Sequence, residues 1–195
     1  MTGEDRAWST LNAQIEKCKD CGPHMNVEGK TASAPGFGDR RSPVAIVGQS
    51  LCRRCMLPPK EPFRGGSERF ITAALNSRPK SDLFVTNVVH CHPEGDRRSL
   101  DAEIDNCRKY LRRELELVAP RLVIGLGRDP RAHAVLAAIY PDVEPLEWWL
   151  GSPPVPTSQP ALVFFPHPSW VKFQPKPLRE EWVRDLARVI DWGFR

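Results

Sequence analysis

Four times along the chain a short, almost unbroken apolar run gives way to a polar or proline-rich loop, then to apolar residues spaced three or four apart. The runs lie at 44–47, 83–89, 121–127 and 161–165. Runs of this length, rich in Val, Ile, Leu and Phe, are the pattern of strands buried on both faces, as in a parallel sheet. The segments after them have helical spacing. In 67–77, Phe70, Ile71, Ala74 and Leu75 make an inner face; 100–118 starts after Ser99 with Glu103 at capping-box distance. Helices follow at 130–140 and at 178–190, where Trp182, Leu186 and Ile190 form a stripe. A shorter helix over 8–17 precedes the first strand, and the Gly-, Pro- and Ser-rich stretch 22–43 reads as a surface loop. Strand, loop and helix in alternation predict an α/β fold. We expect a single domain over 1–195, with three α/β/α layers around a central four-stranded parallel sheet.

In such sheets ligands bind beyond the carboxyl ends of the strands. Three unusual stretches fall there: Gly48-Gln49-Ser50, Asn87 and His167. The Asn87 amide suits recognition of the edge of a small planar ligand. His167 stands between Pro166 and Pro168, which fix the backbone on both sides, and a fixed imidazole suits an oxyanion forming beside it. Phe63 sits in Pro62-Phe63-Arg64-Gly65-Gly66, where the glycines permit close approach and the ring is placed to stack on a base. His24, His92 and His133 lack such a setting and read as ordinary polar groups.

Composition narrows the classes. The chain has 195 residues, 41% of them hydrophobic, and a net charge of +4, with a pI near 8.8. That is only mildly basic, so an anionic partner has to be argued from local residues. No apolar run approaches membrane-spanning length and the N-terminus lacks a secretory pattern, so a cytoplasmic protein without a membrane partner is expected. Clustered thiols in such a compartment more often bind metal than pair as disulfides. Cys18-x2-Cys21, a long gap, then Cys91-x15-Cys107 suggest one metal site holding the N-terminus against the end of the second strand, with spacing that fits zinc or an iron–sulfur cluster. Cys52 and Cys55 form a second C-x-x-C pair in the loop after the first strand.

These residues together resemble the iron–sulfur uracil-DNA glycosylases, the fourth family of the uracil-DNA glycosylase superfamily. The resemblance runs from Cys18 to the C-terminus. It rests on Cys18-x2-Cys21, Phe37-Gly38, Val47-Gly48, Pro62-Phe63-x-Gly65, Thr86-Asn87-Val-Val-x-Cys91, Cys107-x2-Tyr110-Leu111, Leu126-Gly127 and His167-Pro168-Ser169. It implies a structural [4Fe-4S] cluster on Cys18, Cys21, Cys91 and Cys107. It also implies a base flipped out of DNA, stacked on Phe63 and read by Asn87, with His167 stabilising the departing base as an anion. Gly48, Gln49 and Ser50 would contact the base, Gln49 and Ser50 through their backbone. Ser169 would hold a phosphate, and Trp170 to Lys172 would fill the space the base vacates. A monomer acting on single- or double-stranded DNA is the expected form.

The first motif departs from the family. Gly-Glu-Ala-Pro-Gly is replaced by Gly48-Gln49-Ser50-Leu51-Cys52-Arg53-Arg54-Cys55, and no carboxylate lies between Gly48 and Lys60. Gln49 and Ser50 are left to position a hydrolytic water. Arg53 and Arg54 would contact phosphate or a polar group on an enlarged base. The expected activity is therefore a monofunctional DNA glycosylase acting on uracil or another deaminated base. The alternatives are a glycosylase for a bulky modified pyrimidine in phage DNA, a defence role, or an impaired iron–sulfur DNA-binding protein.

Overall fold

Successive residues of a buried strand point to opposite faces of its sheet, and the first long strand shows what that builds. The structure, a computed structural model, describes residues 2–195. In β2 (Val44–Ser50), Val44 and Ile46 pack into one apolar layer, Ala45 and Val47 into the other. The same parity divides β3 (Phe84–Val89), β4 (Leu122–Leu126) and β6 (Ala161–Phe165). One layer is closed by α1 (Gly3–Lys17), α3 (Asp101–Val118) and α4 (Pro130–Ile139), the other by α2 (Glu68–Leu75), α5 (Pro168–Val171) and α6 (Lys176–Phe194). The three-layer α/β/α architecture is as the alternation predicts.

The sheet has six strands rather than four, in the order β1-β3-β2-β4-β6-β5. The extra pair are β1 (Phe37–Gly38), antiparallel to β3, and β5 (Leu146–Glu147), parallel to β6. Both are two-residue edge strands, too short to carry a period in sequence. The four long strands are parallel as expected. Because β3 and β4 flank β2 on opposite sides, the chain reverses its winding direction at β2, and a crevice opens beyond its carboxyl end.

Helix boundaries shift in two places. At α1, Thr2 Oγ1 accepts from the Asp5 N–H and Asp5 returns a carboxylate oxygen to the Thr2 N–H, so the helix begins well before residue 8. At α3 the N-cap is Leu100 rather than Ser99. The Glu103 half of the capping box does form, accepting from the Leu100 N–H at 2.8 Å while Arg97 pairs with the same carboxylate. No helix among the described residues is long and apolar enough to cross a membrane.

Candidate active site

Strand parity decides which side chains reach the crevice. Thr86 and Asn87 are consecutive on β3 and leave the sheet on opposite faces: Asn87 goes to the α2 side with Val85, Thr86 to α3. Gly48 lies directly opposite Asn87 in the β2–β3 register. A Cβ at residue 48 would stand 2.5 Å from Asn87 Oδ1, so only glycine lets the amide lie across the end of β2.

Gly48, Ser50, Phe63, Asn87 and His167 line one cavity of about 110 Å³. Phe63 is held with φ at +58°, in the left-handed region that a bulky residue adopts only when its surroundings impose it. Lys80 is one restraint on that loop. Its Nζ donates to the Pro62 carbonyl at 2.9 Å and to Glu68 Oε1 at 3.2 Å, tying the Phe63 loop to the first turn of α2.

His167 is the N-cap of α5. The Ser169 N–H donates to His167 Nδ1 at 3.1 Å, and the Ser169 hydroxyl lies 2.7 Å from the same nitrogen. A backbone N–H only donates, so Nδ1 accepts and the neutral ring carries its proton on Nε2. Burial lowers the pKa of His167, which favours that neutral form. The Ser169 hydroxyl is thus engaged at the imidazole, where the family resemblance placed it on a phosphate.

The cavity does not gather every residue named from sequence. The side chain of Gln49 leaves on the other face of β2 and donates to Asp129 Oδ2 at 2.6 Å, at the start of α4. Only its backbone remains beside Gly48 and Ser50. Cys52 and Cys55 line the cavity and form a disulfide with each other, with Arg53 and Arg54 exposed between them. Beyond α5, Trp170 is half-buried with the Arg128 guanidinium 4.9 Å from its ring, Val171 is buried, and Lys172 is exposed.

The other four thiols come together on the far side of β3, all unpaired. Asn26 stitches the segment that carries two of them. Its amide donates to the carbonyls of Glu16 and Cys18 at 2.9 Å each, and its Oδ1 accepts from the Ser33 N–H. Asn106 on α3 donates to the Asp20 carbonyl at 3.1 Å and to Cys21 Sγ at 3.4 Å, while Lys109 pairs with Asp20 at 2.6 Å. Burial pushes the Cys91 thiol up to about 12, with Cys107, Cys18 and Cys21 each adding charge repulsion. Cys21 is raised by the same causes, burial foremost. Thiols that raise one another in this way lack only a cation to be held as thiolates. Among the described residues no group of three or more His, Cys, Asp or Glu side chains is drawn tightly enough to grip a single ion. A four-iron cluster is larger than an ion and takes its four thiolates at separate corners, so the donor set fits it.

Comparison with known proteins fits this geometry. Residues 35–188 match the family model of the Uracil DNA glycosylase superfamily. The chain belongs to this superfamily. It is similar to the Type-4 uracil-DNA glycosylase of Pyrobaculum aerophilum, at 29% identity over 94% of this chain and 93% of the relative. The Type-4 uracil-DNA glycosylase of Archaeoglobus fulgidus is 27% identical over 90% and 88%. That of Thermotoga maritima is 23% identical over 84% and 86%.

Three features of this superfamily member have no signal in the sequence pattern. A carboxylate does line the cavity: Glu68, which helical spacing places simply in the first turn of α2. Phe173 follows the His-Pro-Ser segment and is 78% exposed, the most exposed large apolar side chain of the chain's described residues. His90 and Glu114, both buried, form an ion pair at 3.0 Å between the thiols and β3. Burial alone would pull the His90 pKa down. The charge of Glu114, with hydrogen bonds from Cys107 and Glu114, outweighs it and raises the pKa to about 10.

Proposed function

We propose that this protein is a DNA glycosylase that removes uracil, hydrolysing the N-glycosidic bond and leaving an abasic site in an uncut strand. The observation that carries this reading is the convergence of Gly48, Phe63, Asn87 and His167 on one cavity whose imidazole tautomer is fixed.

The residues divide the work as follows. A base turned out of the stack enters the cavity with one face on Phe63, while the Asn87 amide, with both donor and acceptor, pairs with its Watson–Crick edge. As the glycosidic bond breaks, the bonding pair leaves with the base and negative charge gathers on its carbonyl oxygen. His167 Nε2–H donates to that oxygen, and because the ring is neutral beforehand it requires no prior protonation. Water adds to C1′ of the sugar and loses its proton. Ser50, on the cavity wall, and the Glu68 carboxylate are the groups available to hold that water and offset positive charge on the sugar.

A cavity of about 110 Å³ supports a single unsubstituted pyrimidine over a bulky modified one, which would require the loop between Cys52 and Phe63 to move. Arg53, Arg54, Lys172 and Phe173 lie exposed around its mouth, where the DNA backbone and the emptied stack would meet the protein. Cys18, Cys21, Cys91 and Cys107 would hold a [4Fe-4S] cluster. When bound, the cluster supplies a cross-link between the N-terminal segment, β3 and α3 rather than a reacting group.

The deciding experiment incubates the protein with single- and double-stranded oligonucleotides bearing uracil, or other deaminated or modified bases, and reads abasic sites by alkaline cleavage. Uracil release by wild type and its loss in His167→Ala is the expected result. Release unchanged in His167→Ala, or tight salt-sensitive DNA binding with no abasic product from any base, removes this reading.

A further inference from the structure

Glu114 has no exposed surface, yet it makes more connections than any group in the base cavity. One oxygen, Oε1, accepts from the Gly36 N–H at 2.7 Å. The other accepts from the Thr86 hydroxyl and from His90 Nε2, the latter at 3.0 Å. A carboxylate buried without water is tolerated only when its lone pairs are met this fully. Its partners sit at two functional places. Thr86 is the residue before Asn87, and His90 the residue before Cys91. On α3 itself, Glu114 lies seven residues after Cys107, two turns along the same buried face.

His90 completes the link. Glu114 accepts only, so Nε2 carries a proton toward it. The other nitrogen, Nδ1, is buried with no well-formed hydrogen bond among the described residues, and the Cys107 side chain lies close enough to hold a proton there. When Cys107 serves as a thiolate ligand, the ring stands between two acceptors and donates to both.

We propose that Glu114 is a positioning residue that couples the four-cysteine site to the base-reading strand: through His90 it directs an N–H onto the Cys107 sulfur, and through Thr86 it sets the backbone from which Asn87 projects. The proposal rests on the glycosylase reading and on the four cysteines holding the cluster. A hydrogen bond onto a ligating sulfur withdraws charge from it and raises the reduction potential of the cluster. Fixing Thr86 acts on ground-state binding of the base, because Asn87 presents its amide before any bond has broken.

The two arms separate by substitution. His90→Gln removes the N–H at the sulfur, Thr86→Val removes only a hydroxyl, and Glu114→Gln weakens both. Each protein is isolated with its cluster, and three quantities are compared with wild type: iron content, reduction potential by electron paramagnetic resonance titration, and KM against kcat on a uracil oligonucleotide. We expect a more negative potential in His90→Gln and Glu114→Gln but not in Thr86→Val. We expect KM raised about tenfold, with kcat little changed, in Thr86→Val and Glu114→Gln. An unaltered potential in His90→Gln, or an unaltered KM in Thr86→Val, overturns the coupling even if wild type releases uracil. Should Glu114→Gln fail to fold, the other two variants still decide. Wild type without iron overturns both the coupling and the cluster. Iron present and no excision of any base removes the glycosylase reading, and a wild-type potential in His90→Gln then still overturns the coupling.

Discussion

The backbone N–H of Ser169 donates to Nδ1 of His167 across 3.1 Å, and this one hydrogen bond assigns the proton of the imidazole to the nitrogen that is left for the cavity. Burial acts in the same direction, lowering the pKa. An isolated histidine titrates near ~6.5. With the folded pKa below that, single-turnover excision stays level as pH falls through the ordinary histidine range and declines only further down, where the ring charges. Stability follows by linkage. The unfolded chain takes up this proton first, so the contribution of His167 is whole above ~6.5 and is lost as pH falls from there toward the folded value. A rate profile that breaks at 6.5 or above contradicts the neutral donor.

Gly48→Ala tests the fit between β2 and the reading amide. The added methyl would stand 2.5 Å from Asn87 Oδ1, so the amide has to swing away from the cavity. Excision should fall by about a hundredfold, the order seen when one well-placed hydrogen-bonding group is removed from a site. The thermal midpoint should move by only a few degrees, since the strand pairing is untouched. Equal loss of stability and activity would mean that the sheet, not the amide, had been damaged.

Phe173→Ala separates strand preference from chemistry. An exposed ring beside the cavity is suited to fill the gap left by a displaced base, a need that exists only in a duplex. Activity on double-stranded uracil DNA should drop at least tenfold more than on single-stranded DNA. A uniform drop on both would assign Phe173 to general binding.

Cys52→Ser with Cys55→Ser distinguishes the two groups of thiols. These two are joined to each other on the cavity wall, and the remaining four stand unpaired together. Iron per chain and visible absorbance should match wild type in the double variant, whereas Cys91→Ser should lose both and lower the thermal midpoint. Iron loss in the double variant would show that the pairs are not independent.

Lys80→Met removes the cation that ties Pro62 to Glu68. With the loop released, Phe63 no longer keeps its left-handed backbone, and KM should rise several-fold with kcat changed less. A change confined to kcat would place Lys80, or Glu68 through it, in the chemical step.

The apolar runs by themselves determined the four long strands, because a segment buried on both faces has no choice but to be apolar throughout. Their order with the helices determined the α/β class. Asn87, Phe63 and His167 were legible because each interrupts or follows such a run at the end where these sheets bind ligands. Tertiary structure alone decided the rest. Whether Gln49 faces the cavity depends on strand parity set by register, and it turns instead to Asp129. Glu114 and Glu116 look alike in sequence, yet two helical residues apart is a rotation of more than half a turn. One carboxylate is therefore sealed inside with His90, and the other is half-exposed with Arg113. Sequence records which residues are apolar, but what a polar side chain meets is fixed only when the elements pack.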